Sequence, residues 1–173
     1  MITAPSDILA AIFAGMDEWA KANRGTCAIS SGPEDLFKLL TEPPASWRII
    51  LHWQGDANAN ERVRGGGVVI NTLRVVVDGN LGPSAIRNIA LIRAIGSKTP
   101  LLEIFSAVRA RMLAYEFPWL SAPNNRFVYQ SSDDKVPLPD GLFVAAYNLV
   151  FSIPSKFALP EQVIQLSIPE ANP

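Results

Sequence analysis

His52 is the only histidine of the chain and Cys27 the only cysteine. Nucleophilic catalysis near neutral pH needs a group that titrates there beside the nucleophile, so in a serine or cysteine triad His52 would have to be the base. It sits beside Trp53 in WRIILHWQ, no GxSxG elbow is present, and a histidine in such an aromatic strand is expected to pack or to lie at an edge. Cys27 has no helper at a recognisable spacing and reads as a small buried residue. One cysteine excludes an internal disulfide framework and a four-cysteine zinc site. The acidic pairs Asp17-Glu18, Glu34-Asp35 and Asp133-Asp134 are adjacent, so on a helix or strand their carboxylates diverge, and none has the spaced oxygens of a calcium loop. Gly96-Ser97-Lys98-Thr99 has Ser97 between Gly and Lys and Leu91 where a phosphate loop needs its first glycine. Gly65 to Gly67 lacks dinucleotide-binding spacing and reads as a place where the backbone bends. No cofactor and no metal is called for by these residues.

The elements around these residues follow from periodicity. Ser6 is placed to cap a helix in which Ile8, Leu9, Ile12, Phe13, Met16 and Trp19 recur at helical spacing to about Asn23. Gly25 to Gly32 reads as a loop, and Pro33 opens a short helix carrying Leu36, Phe37, Leu39 and Leu40, which ends before Pro43-Pro44. Trp47 to Gln54 alternates Trp47, Ile49, Leu51 and Trp53 on one face against Arg48, Ile50, His52 and Gln54 on the other, which is a strand pattern. Gly55 to Gly67 reads as an exposed loop or the bent start of a strand. Val68 to Val77 is the expected central strand, with Val69, Leu73, Val75 and Val77 on one face. Residues 78–98 fit a short strand or a helical turn equally well.

Thr99-Pro100 then opens an amphipathic helix with Leu101, Phe105, Val108, Met112 and Tyr115 on one face. Arg126 to Ser131 is a short strand, Asp133-Asp134-Lys135 a polar turn, and Leu142 to Ile153 a long strand. Beyond it three prolines interrupt the chain, and Ile164, Leu166 and Ile168 alternate with Gln165 and Ser167. Together these give an α+β domain over residues 1–153, with an antiparallel or mixed sheet of about four to five strands packed by two main helices. Residues 154–173 form an extended C-terminal arm.

Composition sets the outer bounds. At 173 residues one domain with a proper core is the natural expectation. Apolar residues make up 49% and charged residues 18%, a balance consistent with a full core or with apolar surface hidden between copies. A net charge of −1 argues against a dedicated nucleic-acid binder, leaving only a local basic patch at Arg62 and Arg64. The apolar N-terminal run has no Lys or Arg before Lys21 and carries acidic residues, so neither a secretory signal nor a membrane span is expected.

The order of helix, short strand, turn and long strand from Thr99 to Ile153 resembles the C-terminal half of bacteriophage tail-terminator and tail-completion proteins. The likeness is carried by LLEIFSAVRARMLAYEF (Leu101 to Phe117), with Glu103 and Val108-Arg109, and by LFVAAYNLVFSIP (Leu142 to Pro154), with Tyr147, Leu149 and Phe151. The resemblance implies a structural virion protein without enzymatic activity, made in the host cytoplasm and located at the head–tail interface. Such subunits form a ring, commonly a hexamer, which caps the tail tube, stops its polymerisation and meets a head-completion or neck protein. DNA passes through without being read, and no membrane is involved. On this reading Glu61, Arg62 and Arg64 meet a partner subunit or the tail tube. Ile164, Leu166 and Ile168 either fold back or add to the sheet edge of the next subunit. A small enzyme with a carboxylate-based site and a monomeric binding module are the alternatives.

Overall fold

Helix α1, Pro5–Ala22, buries Ile8, Ile12, Met16 and Ala20 on one stripe, as their spacing dictates. The computed structural model describes residues 5–58, 67–80, 99–118, 125–133 and 142–155. Ser6 lies inside the first turn of α1 and is not its cap, because Pro5, with φ already fixed near helical values, starts the helix one residue earlier. The helix is closed by a Schellman motif: Gly25 N–H donates to Ala20 O (2.8 Å) and Arg24 N–H to Lys21 O (3.1 Å). Arg24 takes the left-handed position there, at φ +63°. Glycine is required at the next residue, since a Cβ on Gly25 would run into the Trp47 indole.

Residues expected to be loop form strand β1, Thr26–Ser30, followed by helix α2, Pro33–Thr41, and strand β2, Trp47–Asn58. The small residues of Thr26–Ser30 give little alternation to detect. What makes them a strand is parallel pairing with β2, from Thr26 opposite Arg48 to Ser30 opposite His52. Strand β3, Gly67–Asn80, pairs antiparallel with β2 and with β5, Leu142–Ser155, which also holds the short strand β4, Val128–Asp133. The sheet is mixed and open, ordered β1-β2-β3-β5-β4. The protein is therefore an α+β fold with β3 at the centre, as its run of β-branched residues predicts. β2 reaches beyond Gln54 because a bulge between Trp53 and Gly55, with Gly55 at φ +111°, resets the register and lets the strand continue.

Helix α3, Leu101–Leu113, joins α1 on the first face of the sheet, and α2 covers part of the second. Among the described residues there are thus three helices: the two main ones expected, α1 and α3, and the short one expected at Pro33. On α3 the fully packed stripe is Leu101, Ile104, Val108 and Met112. Phe105, expected in that stripe, is only half-buried, and Tyr115 lies beyond the end of the helix. Leu101 is seated by Gly79, whose bare Cα lets the helix approach β3.

The boundary of the C-terminal arm moves as well. Pro154 pairs with Val68 and Ser155 with Gly67, so β5 continues through Ser155, two residues past Ile153, and residues 156–173 lie outside the described residues. β4 reaches β5 only as far as Val150, which among the described residues leaves the last part of β5 as a local edge, where proline is tolerated.

Candidate functional site

The two faces of the sheet are chemically unlike. The first buries Ile49, Leu51, Leu73, Val75, Val77 and Leu149 against α1 and α3. It continues into an aromatic group in which Phe117 lies 4.9 Å from Phe127 and 5.3 Å from Tyr115, centroid to centroid. The second face holds Ile50, Val76, Val144 and Ala146 under Leu36 and Leu40 of α2, and beside them buried polar groups: Arg48, Asp78, His52 and Ser30.

Arg48 and Asp78 sit opposite each other on β2 and β3. Arg48 donates through Nε to Asp78 Oδ1 (3.1 Å) and through Nη2 to Oδ2 (2.5 Å). The same Nη2 donates to Leu39 O (2.6 Å), which also accepts the Glu42 N–H (3.2 Å), and to Glu42 O (3.1 Å), both carbonyls lying at the C-terminal end of α2. Burial pushes the Asp78 carboxyl up, while Arg48 pulls it back down. The pair is a clamp that fastens α2 to the sheet. Its sequence signal was a charged residue sharing a strand face with Ile50, although nothing in the chain pointed to Asp78 as its partner.

His52 and Ser30 have the contents of a catalytic dyad with the wrong polarity. Ser30 Oγ donates its one proton to Gly32 O (2.8 Å). His52 Nδ1, 3.1 Å from that oxygen, must therefore be the donor, so the imidazole holds a proton against the serine and does not remove one. Burial, then the charge of Arg74, lowers the His52 pKa. Asp35, at the start of α2, is occupied by the Ser31 N–H (2.8 Å) and hydroxyl (3.1 Å). Burial, reinforced by Asp17, pushes the Cys27 thiol up to about 12, so it stays protonated and poorly nucleophilic. Among the described residues no three His, Cys, Asp or Glu side chains come together in a way that could hold a metal ion.

The surface carries a second kind of candidate. Among the described strands β1 and β4 are outermost, and each exposes large apolar side chains: Ile29 on β1, Val128 (66%) and Tyr129 (40%) on β4. Edge strands with bare apolar residues are normally avoided, because they template pairing with other chains. Of the residues expected at an interface, Glu61, Arg62, Arg64, Ile164, Leu166 and Ile168 all lie outside the described residues. The exposed edges were not recognisable in the sequence, since TCAIS reads as part of a loop and VYQSSD runs from an ordinary short strand into a polar turn until the topology places them outermost among the described strands.

Compared with known proteins, the chain matches no family model and no curated sequence.

Proposed function

We propose that this chain is a structural subunit of a bacteriophage tail, assembling into a ring, of six copies on the family pattern, that caps the tail tube and joins it to the neck. The observation that supports this reading is the pair of unlike apolar edges at opposite ends of one sheet. β1 is a five-residue strand flanked by α1 and α2, while β4 presents Val128 and Tyr129. The two edges differ from each other, so a contact that joins one of them to the other on a neighbouring copy is heterologous. Repetition of such a heterologous contact closes into a ring when its rotation permits. The inverted Ser30–His52 hydrogen bond and the unreactive Cys27 fit a scaffold role.

Native mass spectrometry of the purified chain, alone and mixed with tail tubes, is the test. A closed species near six times the 18.8 kDa subunit mass is the expected result. A chain that stays monomeric in both conditions overturns the reading.

A further inference from the structure

We infer that α2 is a hinged strap: it opens from its N-terminal end, swinging on the Arg48–Asp78 pair, and acid releases the latch that His52 and Ser30 make at that end. The device is complete within one subunit and stands apart from the ring reading. Its physical basis is that the two ends of the helix are held to one strand by bonds of different kinds.

Both fastenings come from the second face of β2. Arg48 and His52 lie four residues apart there, a separation of ~13 Å, which is also the length of a nine-residue helix. At the C-terminal end, Leu39 O and Glu42 O accept from the Arg48 guanidinium, which Asp78 holds in place from β3. Those carbonyls do not titrate. The Asp78 carboxyl, raised by burial, takes up a proton more readily in the closed state than in water, so acid favours closure at this end.

At the N-terminal end no side chain caps the helix, since Gly32 occupies that position. What holds it is a relay. His52 Nδ1–H donates to Ser30 Oγ (3.1 Å), the Ser30 hydroxyl donates to Gly32 O (2.8 Å), and Gly32 O also receives the Leu36 N–H (2.9 Å). Every bond of the relay is neutral, and such bonds are about half as strong as the charge-assisted ones at the other end. The outer side of α2 adds no hold, as Glu34, Phe37, Lys38 and Thr41 are all exposed.

His52 makes the latch respond to acid. The residue is 8% exposed with α2 in place, and Nδ1 is committed to Ser30, so an added proton must go to Nε2. The groups that face the imidazole are Arg74, opposite it on β3, Asp35 on α2, and the uncharged Ser30 on β1. Arg74 repels the new charge. Asp35, the one anion among these groups, already accepts the N–H (2.8 Å) and hydroxyl (3.1 Å) of Ser31. Burial and then Arg74 hold the closed imidazole below its ordinary 6.5, whereas water entering under a raised α2 lets it return toward that value. Opening is therefore favoured as pH falls below 6.5, and it uncovers Leu36, Ile50 and Val76.

Paired spin labels measure the swing in the full chain, with Cys27 replaced by Ser. One pair joins Glu34→Cys at the start of α2 to Arg111→Cys on α3, and a second joins Thr41→Cys at its end to Arg111→Cys. A reference pair joins Ala10→Cys on α1 to Arg111→Cys, and all these sites are exposed. From pH 7.5 to 5 the first distance should lengthen by ~5 Å or more, a modest swing for a lever of ~13 Å, with the other two unchanged. His52→Asn, which keeps a donor for Ser30 and cannot titrate, should abolish the change, and Ser30→Ala should lengthen the first distance already at pH 7.5. A first distance that stays fixed over that range overturns the strap, and a second that lengthens as much overturns the hinge. Movement of the reference pair signals general unfolding and overturns the device as a whole. An acid response that survives in His52→Asn, or a Ser30→Ala chain that stays closed at pH 7.5, overturns the latch.

Discussion

The two faces of the sheet solve the same problem with different chemistry. On the first, two helices bury an unbroken apolar surface, and each side chain contributes through area removed from water. On the second, one nine-residue helix is too short to do this alone, and Arg48 and Asp78 hold its end. The first face should therefore tolerate a smaller side chain at a graded cost. The second should fail abruptly when either partner of the ion pair is removed.

The largest expected effect is on the second face. Asp78→Ala leaves the Arg48 guanidinium buried without its carboxylate and should cost about 3–5 kcal/mol, whereas Arg48→Met with Asp78→Leu should recover most of that loss. Chemical denaturation of the three proteins checks it. Equal losses in the single and double variants would show that packing, and not the charge pair, fastens α2.

On the first face, Ile104→Ala should cost about 2–5 kcal/mol. Phe105→Ala should cost less despite its larger side chain, because Phe105 is only half-buried. The reverse order in thermal melts would mean that α3 is rotated toward the stripe its sequence predicts.

The smallest effect depends on pH. Burial and then Arg74 hold the imidazole of His52 below its ordinary value of 6.5, so the folded state stays neutral while the unfolded chain takes up a proton. Its contribution is complete above about pH 6.5 and is lost as pH falls below that value, with a slope of at most about 1.4 kcal/mol per pH unit. Asp78 acts with the opposite sign, since its raised carboxyl gives stability at low pH that is lost as pH rises. The difference between parent and His52→Asn, followed from pH 7.5 to 5, isolates the imidazole. Parallel curves would sink the assignment.

Much of the first face was legible in the sequence because it is built from periodic elements with strong propensities. The stripe of α1, the alternation of Trp47, Ile49, Leu51 and Trp53, and the β-branched centre of β3 all announce themselves locally. β1 did not, because a parallel strand of small residues is defined by the partner it meets. Phe105 misled because helical spacing alone does not decide whether residue 104 or 105 faces the sheet. The clamp was invisible for a related reason: Arg48 and Asp78 are thirty positions apart, and only the β2–β3 register sets them face to face. The edges follow the same logic, since only the strand order places β4 outermost among the described strands.

The seam between β3 and β5 has a consequence for how the chain is made. It joins Asn80 to Leu142 and Gly67 to Ser155, whereas β1, α2 and β2 are neighbours in sequence and assemble locally. Pairing across a long intervening segment carries the larger closure entropy and forms late. At ~5–20 residues per second, β3 leaves the ribosome seconds before the strand that completes it. During that interval one side of the central strand is open to any β5 within reach, including that of a chain growing on the same messenger. Amide pulse-labelling during refolding should find β1 and β2 protected before β5. Crowded synthesis thus favours strand exchange at the same seam that later holds the folded chain together.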